Sequence, residues 1–521
     1  MAVTIRKIRL INFKRFKNYI IEPNDRINIL TGDNETGKSS ILEAVDLVSA
    51  GNVRRVETIG LDRLINIDAV KAFQSGNRSF DNLPVLRIEL YLTGQFDYTM
   101  NGNNNSDRIV CDGIRMVCAP NPDYRTEITD ALSVHTEYFP YDYYSVRFST
   151  FADEGYTGYK RKLRCAMIDS SNMSSEYATN DFVHRMYMQY TESDIKERAL
   201  HKSQYRQMRN SFCSDSLRAL NDRVPADRNY AFGLKGGNST SLERDLMIFE
   251  NQIGIDSKGT GRQIFVKTDF ALERSGDNVD VILIEEPENH LSHVNLRKLV
   301  QRVAKTRNGQ IFITTHNSLI STRLELKNLI IMHVNGDDRP IMLKDLSDET
   351  GKYFMKAPPA SIVEYALSRK TILVEGPSEY MLLEKFYKSV TEHFPEEDNV
   401  HIIDVRGLSF KRYLEIARQT RGKVAVITDN DANYQLNCIE RYSEYSDDTN
   451  INVFYHINNN QKTFENVLYA DNSALCDNLF GTGAENYMLN NKTEAAFALL
   501  SQNQQITVPD YIKRAINWIK E

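Results

Sequence analysis

No stretch of this chain approaches the roughly eighteen consecutive apolar residues that a membrane-spanning helix needs. Its first residues, Met1-Ala-Val-Thr-Ile-Arg-Lys7, enter an alternating pattern without the apolar core of a secretory signal. The expectation is a cytoplasmic protein with no membrane partner. Cysteine is scarce: Cys111, Cys118, Cys165, Cys213, Cys438 and Cys476 are the 6 in the chain, and no two form a Cys-x-x-Cys pair. That spacing argues against a zinc ribbon and against a disulfide framework. An excess of positive charge is missing too. The formal net charge is −6, so any nucleic-acid contact must come from local basic clusters, with metal ions offsetting acidic sites.

What is present is length and two sets of phosphate-type motifs. At 521 residues the chain exceeds one ordinary core, and roughly two to four domains are expected. The alternating segment Val3 to Phe16 predicts a strand, and Arg26-Ile-Asn-Ile-Leu-Thr31 predicts a second that runs into Gly32-Asp-Asn-Glu-Thr-Gly37-Lys38-Ser39. Ser40 to Val48 then follows a helical apolar pattern. Strand, glycine loop and helix in that order turn backbone N–H groups and a helix N-terminus toward a phosphate chain, an α/β nucleotide site. Asn34, Gly37, Lys38, Ser39 and Ser40 are the candidate ATP-binding residues; Lys38 would reach the β- and γ-phosphates and Ser39 would ligate Mg²⁺. In isolation the pattern also occurs as a bland turn.

Downstream residues supply the context. Asp280-Val-Ile-Leu-Ile-Glu285-Glu286 is an apolar strand ending in acids, with Glu285 assigned to the metal side and Glu286 to the general base that polarises water. Gln310-Ile-Phe-Ile-Thr-Thr-His316 is a further strand ending in a histidine. A lone histidine is usually a satisfied polar residue; after a strand with this spacing it is assigned to sensing the γ-phosphate.

This set, together with Asn12-Phe-Lys-Arg-Phe16, resembles the ABC-type ATPase heads of the RecF and SMC group in motif order. The resemblance implies that a signature segment from a second head completes the ATP site, hence a homodimer or higher homo-oligomer. Ser257-Lys-Gly259-Thr-Gly261-Arg-Gln263 is a divergent match to that segment, without the Leu-Ser-Gly-Gly wording. Between Asn180 and Arg223 the pattern is helical, charged and free of Pro and Gly. With no sustained heptad series, a compact dimerisation arm is expected there and a long rod is not. The run Lys160-Arg-Lys-Leu-Arg164 reads either as a nucleic-acid contact or, more commonly, as a solvated face.

The second motif set follows Lys356-Ala-Pro-Pro-Ala360, read as a linker. Thr371-Ile-Leu-Val-Glu375 predicts a buried strand, and Gly376-Pro377 opens a helix holding Glu379. Two more strands follow, His401 to Gly407 and Lys423-Val-Ala-Val-Ile-Thr-Asp429-Asn-Asp431. Residues two apart at a strand end point the same way, so Asp429 and Asp431 are expected to share one metal region. Converging carboxylates need cations, and Mg²⁺ or Mn²⁺ suits oxygen donors. An isolated Asp-x-Asp would more often be a cap or an exposed turn.

These residues resemble the Toprim domain, and Glu379 with Thr463-Phe-Glu465-Asn resembles its variant in the OLD (overcoming lysogenization defect) family of nucleases, which includes the Gabija nuclease subunit. The resemblance implies Glu375, Glu379, Asp429, Asp431 and Glu465 as catalytic metal ligands for two ions, and Lys492 as the assisting lysine, with a surface helix lysine as its alternative. The expected fold class is α/β: an ABC-type (RecF/SMC-like) ATPase head over 1–165 and 246–358, a helical dimerisation insertion over 166–245, and a Rossmann-like Toprim nuclease domain over 359–521. The expected function is an ATP-regulated, metal-dependent DNA endonuclease in bacterial anti-phage defence. The rival is an ATP-gated DNA-binding or assembly protein with a non-catalytic Toprim domain; a topoisomerase would need a tyrosine-nucleophile domain that the residues do not single out. A helicase or a noncoding RNA is the class of defence partner this setting offers, and the residues choose neither.

Overall fold

The computed structural model describes residues 3–94, 97–134, 139–158, 161–169, 183–184, 186–188, 190–191, 194–224, 230–234, 242–273, 279–306, 309–333, 339–356, 361–502 and 504–521. The expected linker therefore lies, beyond Lys356, outside the described residues, as do Lys160 and part of the expected helical arm. The chain divides into two compact units. One comprises Val3–Lys162 with Phe312–Glu521, the other Leu163–Ile311.

The first unit opens with an antiparallel sheet. Strands β1 (Thr4–Phe13) and β2 (Phe16–Ile21) form a hairpin, and β1 also pairs with β4 (Leu86–Thr93). Beyond it lie β5 (Cys111–Pro120) and β6 (Tyr144–Thr150). Strand β3 (Ile27–Gly32) is buried at every position, as a strand covered on both faces must be. Its one amide, Asn28, survives there because it accepts from Asn24 N–H at 2.6 Å and donates to Asn24 O at 2.9 Å. Helix α1 (Lys38–Ala50) follows the glycine loop.

The second unit is built on β7 (Cys165–Asp169) paired in parallel with β8 (Val281–Glu285), beside helices α2 (Thr260–Glu273) and α3 (His293–Lys305). Arg164 closes onto the buried Asp280, with an ion pair of 2.7 Å and the Arg164 backbone N–H donating to the same carboxylate at 2.9 Å. Asp280 thus fixes the start of β8, and Arg164 is engaged in structure. Lys162 likewise lies 3.8 Å from Asp97, so these two members of the basic run are tied to acids. The described part of the expected arm contains a helix at Ile195–Ser211, with no fully buried side chain.

The chain returns to the first unit through β9 (Gln310–Thr314), α4 (Ser318–Arg323), β10 (Leu329–Met332) and β11 (Ile341–Met342). Strand β10 is parallel to β3, and Thr315 N–H donates to Leu30 O at 3.1 Å. Helices α5 (Asp348–Lys356) and α6 (Ile362–Leu367) lead to a four-stranded, all-parallel sheet. Its strands are β12 (Lys370–Val374), β13 (Val400–Asp404), β14 (Lys423–Ile427) and β15 (Ile451–Phe454), in the order β13-β12-β14-β15.

The two-residue side-chain alternation of these strands divides the interior in two. Ile372, Val374, Ala425 and Ile427 pack under α7 (Pro377–Thr391), α9 (Phe464–Asp471), α10 (Lys492–Leu500) and α11 (Asp510–Lys520). Leu373, Val424 and Val426 face the other way, toward α8 (Phe410–Thr420). That second core also contains Leu326, Leu329, Ile331, Leu346 and Phe354, so the last strands of the nucleotide part and the C-terminal sheet share one interior. Glu415 on α8 reinforces the junction by accepting from Ser347 and Thr350.

The approach to α11 depends on one buried amide. Asn472 donates to Leu468 O and Thr507 O, both at 3.0 Å, and accepts from Thr507 N–H at 2.7 Å. Asn472→Ala leaves these groups unpartnered and should cost about 1–3 kcal/mol. The measurable outcome is an earlier urea transition together with faster amide exchange in α11; an unchanged transition contradicts this anchoring role.

Candidate functional site

The glycine loop needs its glycines. Gly37 has φ 93°, and a side chain there would meet the Phe16 ring, with the nearest atom at 2.5 Å; at Gly32 it would lie 2.4 Å from Met332 O. Lys38 is buried and donates to Gly32 O at 2.8 Å and Asp33 O at 2.9 Å. The ammonium thus satisfies the loop's own carbonyls, while Asn34 and Ser39 are exposed and Ser40 is half-buried. His316, exposed at the end of β9, precedes Asn317, which caps α4 by accepting from Leu319 N–H at 2.8 Å.

In the second unit β8 ends at Glu285, and Glu286 takes a left-handed conformation with φ 37°, its carboxylate accepting from Asn289 at 2.8 Å. A non-glycine residue held there is a strained position of the sort found at functional sites. The divergent signature segment has a local structural role. A side chain at Gly261 would stand 2.1 Å from His290 O, whereas Gly259 faces open space. Gln263 donates to Lys258 O at 2.8 Å and holds the turn.

The C-terminal carboxylates converge. Glu375 follows the end of β12 and accepts from Thr428 Oγ1 at 2.6 Å and from Asp429 N–H at 2.8 Å. Asp429 accepts from Phe464 N–H at 2.7 Å, at the start of α9. Glu379 lies in the first turn of α7 and Glu465 in the first turn of α9, where N-terminal N–H groups favour anions. Lys492 begins α10, an unfavourable end for a cation, and is held by an ion pair of 2.9 Å to the buried Glu465.

These groups act on one another electrostatically. Burial, then the charges of Glu465 and Glu375, push Glu379 up from 4.5 to about 8. Burial followed by Glu375, Glu379 and Glu465 raises Asp429 far above the usual carboxylate range. For Lys492 burial acts downward, but Glu465, Asp429 and Glu379 outweigh it and hold the ammonium charged.

Asp431 departs from expectation. Strand β14 stops at Ile427, and the chain turns left-handed at Asp431 (φ 44°) and Ala432 (φ 66°). Strand alternation therefore does not align Asp431 with Asp429. Asp431 is exposed, and its N–H donates to Lys462 O at 3.2 Å.

Three residues absent from the sequence reading support the site. Asn430 is buried and donates to His456 O at 2.9 Å and to Asn458 O and Gln461 O at 3.0 Å, while accepting from Ala432 N–H. It thereby ties the acidic turn to the loop after β15. Thr428 orients Glu375. Tyr511 on α11 is buried beside Asp429, Thr428, His456 and Lys462; burial, and then the four acids, keep its phenol protonated. Thr428 and Asn430 adjoin a candidate ligand and were findable by proximity. Tyr511 carries only a core-helix pattern in sequence.

A divalent cation is implied by this donor set. Glu375, Glu379, Asp429 and Glu465 are hard oxygen donors with a surplus of negative charge over Lys492, which suits Mg²⁺ or Mn²⁺. Among the described residues, however, no three His, Cys, Asp or Glu side chains stand close enough to form a finished metal cage. The chemistry fits, and the ligands are gathered without being closed.

Residues 367–431 match the family described as overcoming lysogenization defect protein-like, TOPRIM domain. Residues 7–117 match an AAA domain family, and 174–322 match a second AAA domain family whose description names the AbiEii toxin of a type IV toxin–antitoxin system. The DNA replication and repair protein RecF of Teredinibacter turnerae is 34% identical over 65 residues, 12% of this chain and 17% of that protein. RecF of Idiomarina loihiensis is 43% identical over 47 residues, 9% of this chain and 13% of that protein. These matches thus span only a small part of the curated relatives. Among solved structures, the C-terminal region of the Xanthomonas campestris pv. campestris OLD protein is 18% identical, with 29% of this chain and 92% of that chain covered at TM-score 0.23. The SMC head domain from Thermotoga maritima is 13% identical, with 65% and 97% covered at TM-score 0.27. Among the described residues no helix is long and apolar enough to cross a membrane.

The raised Glu379 has a measurable consequence. Because its folded value of about 8 exceeds 4.5, the folded state binds the proton more tightly than the unfolded chain. That stabilisation is complete below about pH 4.5 and is lost as pH rises toward 8. Without divalent metal, Glu379→Gln should therefore raise the thermal midpoint at pH 8 more than at pH 5. An equal effect at both pH values contradicts the carboxyl environment described.

Proposed function

We propose that this chain, which joins AAA-type ATPase segments to an OLD-like Toprim domain, is an ATP-regulated, divalent-metal-dependent DNA endonuclease. The observation that carries the reading is the gathering of Glu375, Glu379, Asp429 and Glu465, with Lys492 paired to Glu465. Like charges gathered at this density are costly unless a cation is the intended occupant. When bound, Mg²⁺ or Mn²⁺ supplies water activation and neutralises charge on the leaving oxygen. Glu375, Glu379, Asp429 and Glu465 would hold two such ions, with Asp431 at the outer edge. Thr428 and the backbone N–H of Asp429 orient Glu375, and Phe464 N–H orients Asp429. Lys492 offsets the charge that develops on the phosphate.

In the head, Asn34, Gly37, Lys38, Ser39 and Ser40 would cradle ATP and one Mg²⁺, with Glu285 on the metal, Glu286 as general base and His316 at the γ-phosphate. Gly259 and Gly261 would complete a second copy's site in a homo-oligomer. The domain division that goes with this reading is a head over 1–165 and 246–358, an arm over 166–245 and a Toprim domain over 359–521. A cytoplasmic role in anti-phage defence, with a helicase or a noncoding RNA as partner, belongs to the same proposal.

A second reading, an ATP-gated DNA-binding protein with a structural acidic site, is favoured by the absence of a finished metal cage among the described residues. Plasmid nicking in Mg²⁺ or Mn²⁺ separates the two. Glu379→Ala and Asp429→Ala should each reduce cutting by at least about a hundredfold, on the scale of lost general acid–base or electrostatic catalysis. Cutting that survives both substitutions rules out the nuclease assignment. ATP turnover is assayed separately: Lys38→Ala and Glu286→Gln should each abolish it, and undiminished turnover contradicts the head assignment.

A further inference from the structure

Beside the acidic turn lies a feature that metal binding does not use. Tyr434, just beyond Asp431, and Tyr455, directly after β15, stack in parallel, with ring centroids 5.8 Å apart and planes 14° from each other. Both rings are partly exposed. The pair is fastened to the site: Tyr434 N–H donates to Asn459 Oδ1 at 3.1 Å, and Asn430 bonds three carbonyls of the same loop. Arg514 donates to Tyr455 O at 3.4 Å. Near these tyrosines in sequence, Leu436 and Ile457 are more than half exposed, and Ile439 is 40% exposed. Lys462 is exposed and its backbone carbonyl accepts from Asp431 N–H, and Arg514 is also near Asp510 at 3.3 Å. Asn458, Asn459 and Asn460 are exposed on the connecting loop.

A duplex hides the faces of its bases, so flat aromatic rings and bare aliphatic side chains offer it little. An unpaired strand presents those faces, and stacking on tyrosine is tolerant of sequence. Such cations answer the backbone phosphates. The chain length between Asp431 and Tyr434 limits their separation to about 11 Å, so a strand whose phosphate meets the carboxylates can bring neighbouring bases to the rings. We infer that the Tyr434–Tyr455 pair is a base-stacking platform that selects single-stranded DNA at the acidic site. This rests on the nuclease reading for its purpose, and on the geometry alone for binding.

The test is fluorescence anisotropy of the full chain with a labelled oligothymidylate and with a duplex of equal length, using Ca²⁺ in place of Mg²⁺ or Mn²⁺. Wild type should prefer the single strand. Tyr434→Ala and Tyr455→Ala should each weaken single-strand binding roughly tenfold, the scale of one lost stacking contact, with duplex binding changed less than about twofold. The Phe variants should keep wild-type affinity, which separates stacking from a hydroxyl or folding effect. Equal loss for both DNAs, loss in neither, Phe variants as weak as Ala, or no binding by wild type each overturns the proposal. So does a change of sedimenting size in the Ala variants without a change in DNA affinity, which would make the face a self-contact. Plasmid nicking in Mg²⁺ run alongside keeps the two readings apart. Strand-selective binding without any cutting supports the platform and removes the nuclease, whereas cutting with unaltered affinity in the Ala variants does the reverse.

Discussion

The C-terminal half of this protein is organised around carboxylates buried close to one another. Burial first, and then the charges of the neighbouring carboxylates among Glu375, Glu379, Asp429 and Glu465, push Glu379 up to about 8 and Asp429 far above its ordinary range. Their positions are held by backbone donors, helix N-termini and Lys492. The surrounding fold makes sense as the frame for that arrangement. Parallel strands end together, so β12 and β14 deliver Glu375 and Asp429 to one rim, and α7 and α9 begin there. The buried Asn430 and Asn472 fasten the loops that a purely apolar core would leave free.

This frame is continuous with the nucleotide-loop side of the first unit. Strand β10 is paired with β3, and residues after it share a core with β12, β14 and α8. Helix α4, next to His316, packs against α5 and α6. On the edge strand β13, His401 bonds Glu364 at 3.0 Å. That bond, against the effect of burial and with smaller pulls from Glu364's charge, Glu396 and Asp33 of the glycine loop, raises the imidazole above its ordinary value. Asp33 of the glycine loop is the last of the acids that act on this imidazole. Gly407, after β13, donates to Glu375 O at 2.8 Å.

Much of the architecture was legible because it is local. The apolar run ending at Gly32, the glycines before Lys38, and the strands ending near Glu285, Glu375 and Asp429 each follow from short-range pattern, and the structure has them in that order. What the residues alone did not carry is long-range. Tyr511 comes to the acids from a helix far along the chain. Asn430 looks like a spacer between two aspartates until its three carbonyl partners are seen. The shared interior of β10 and β12 is invisible beside a Pro-Pro segment that reads as a linker. Asp431 shows the limit of strand alternation, because β14 ends at Ile427 and the backbone is already left-handed at Asp431.

The most direct measurement of the central claim is calorimetric titration of Mn²⁺ into the metal-free chain at pH 7, repeated in two buffers of different ionisation enthalpy to count protons. If the carboxylates are held partly protonated by burial and by one another, binding must expel protons. At least about one proton released per chain, and none after Glu379→Gln combined with Asp429→Asn, is the predicted result. Mn²⁺ binding without proton release, or no Mn²⁺ binding, would contradict it.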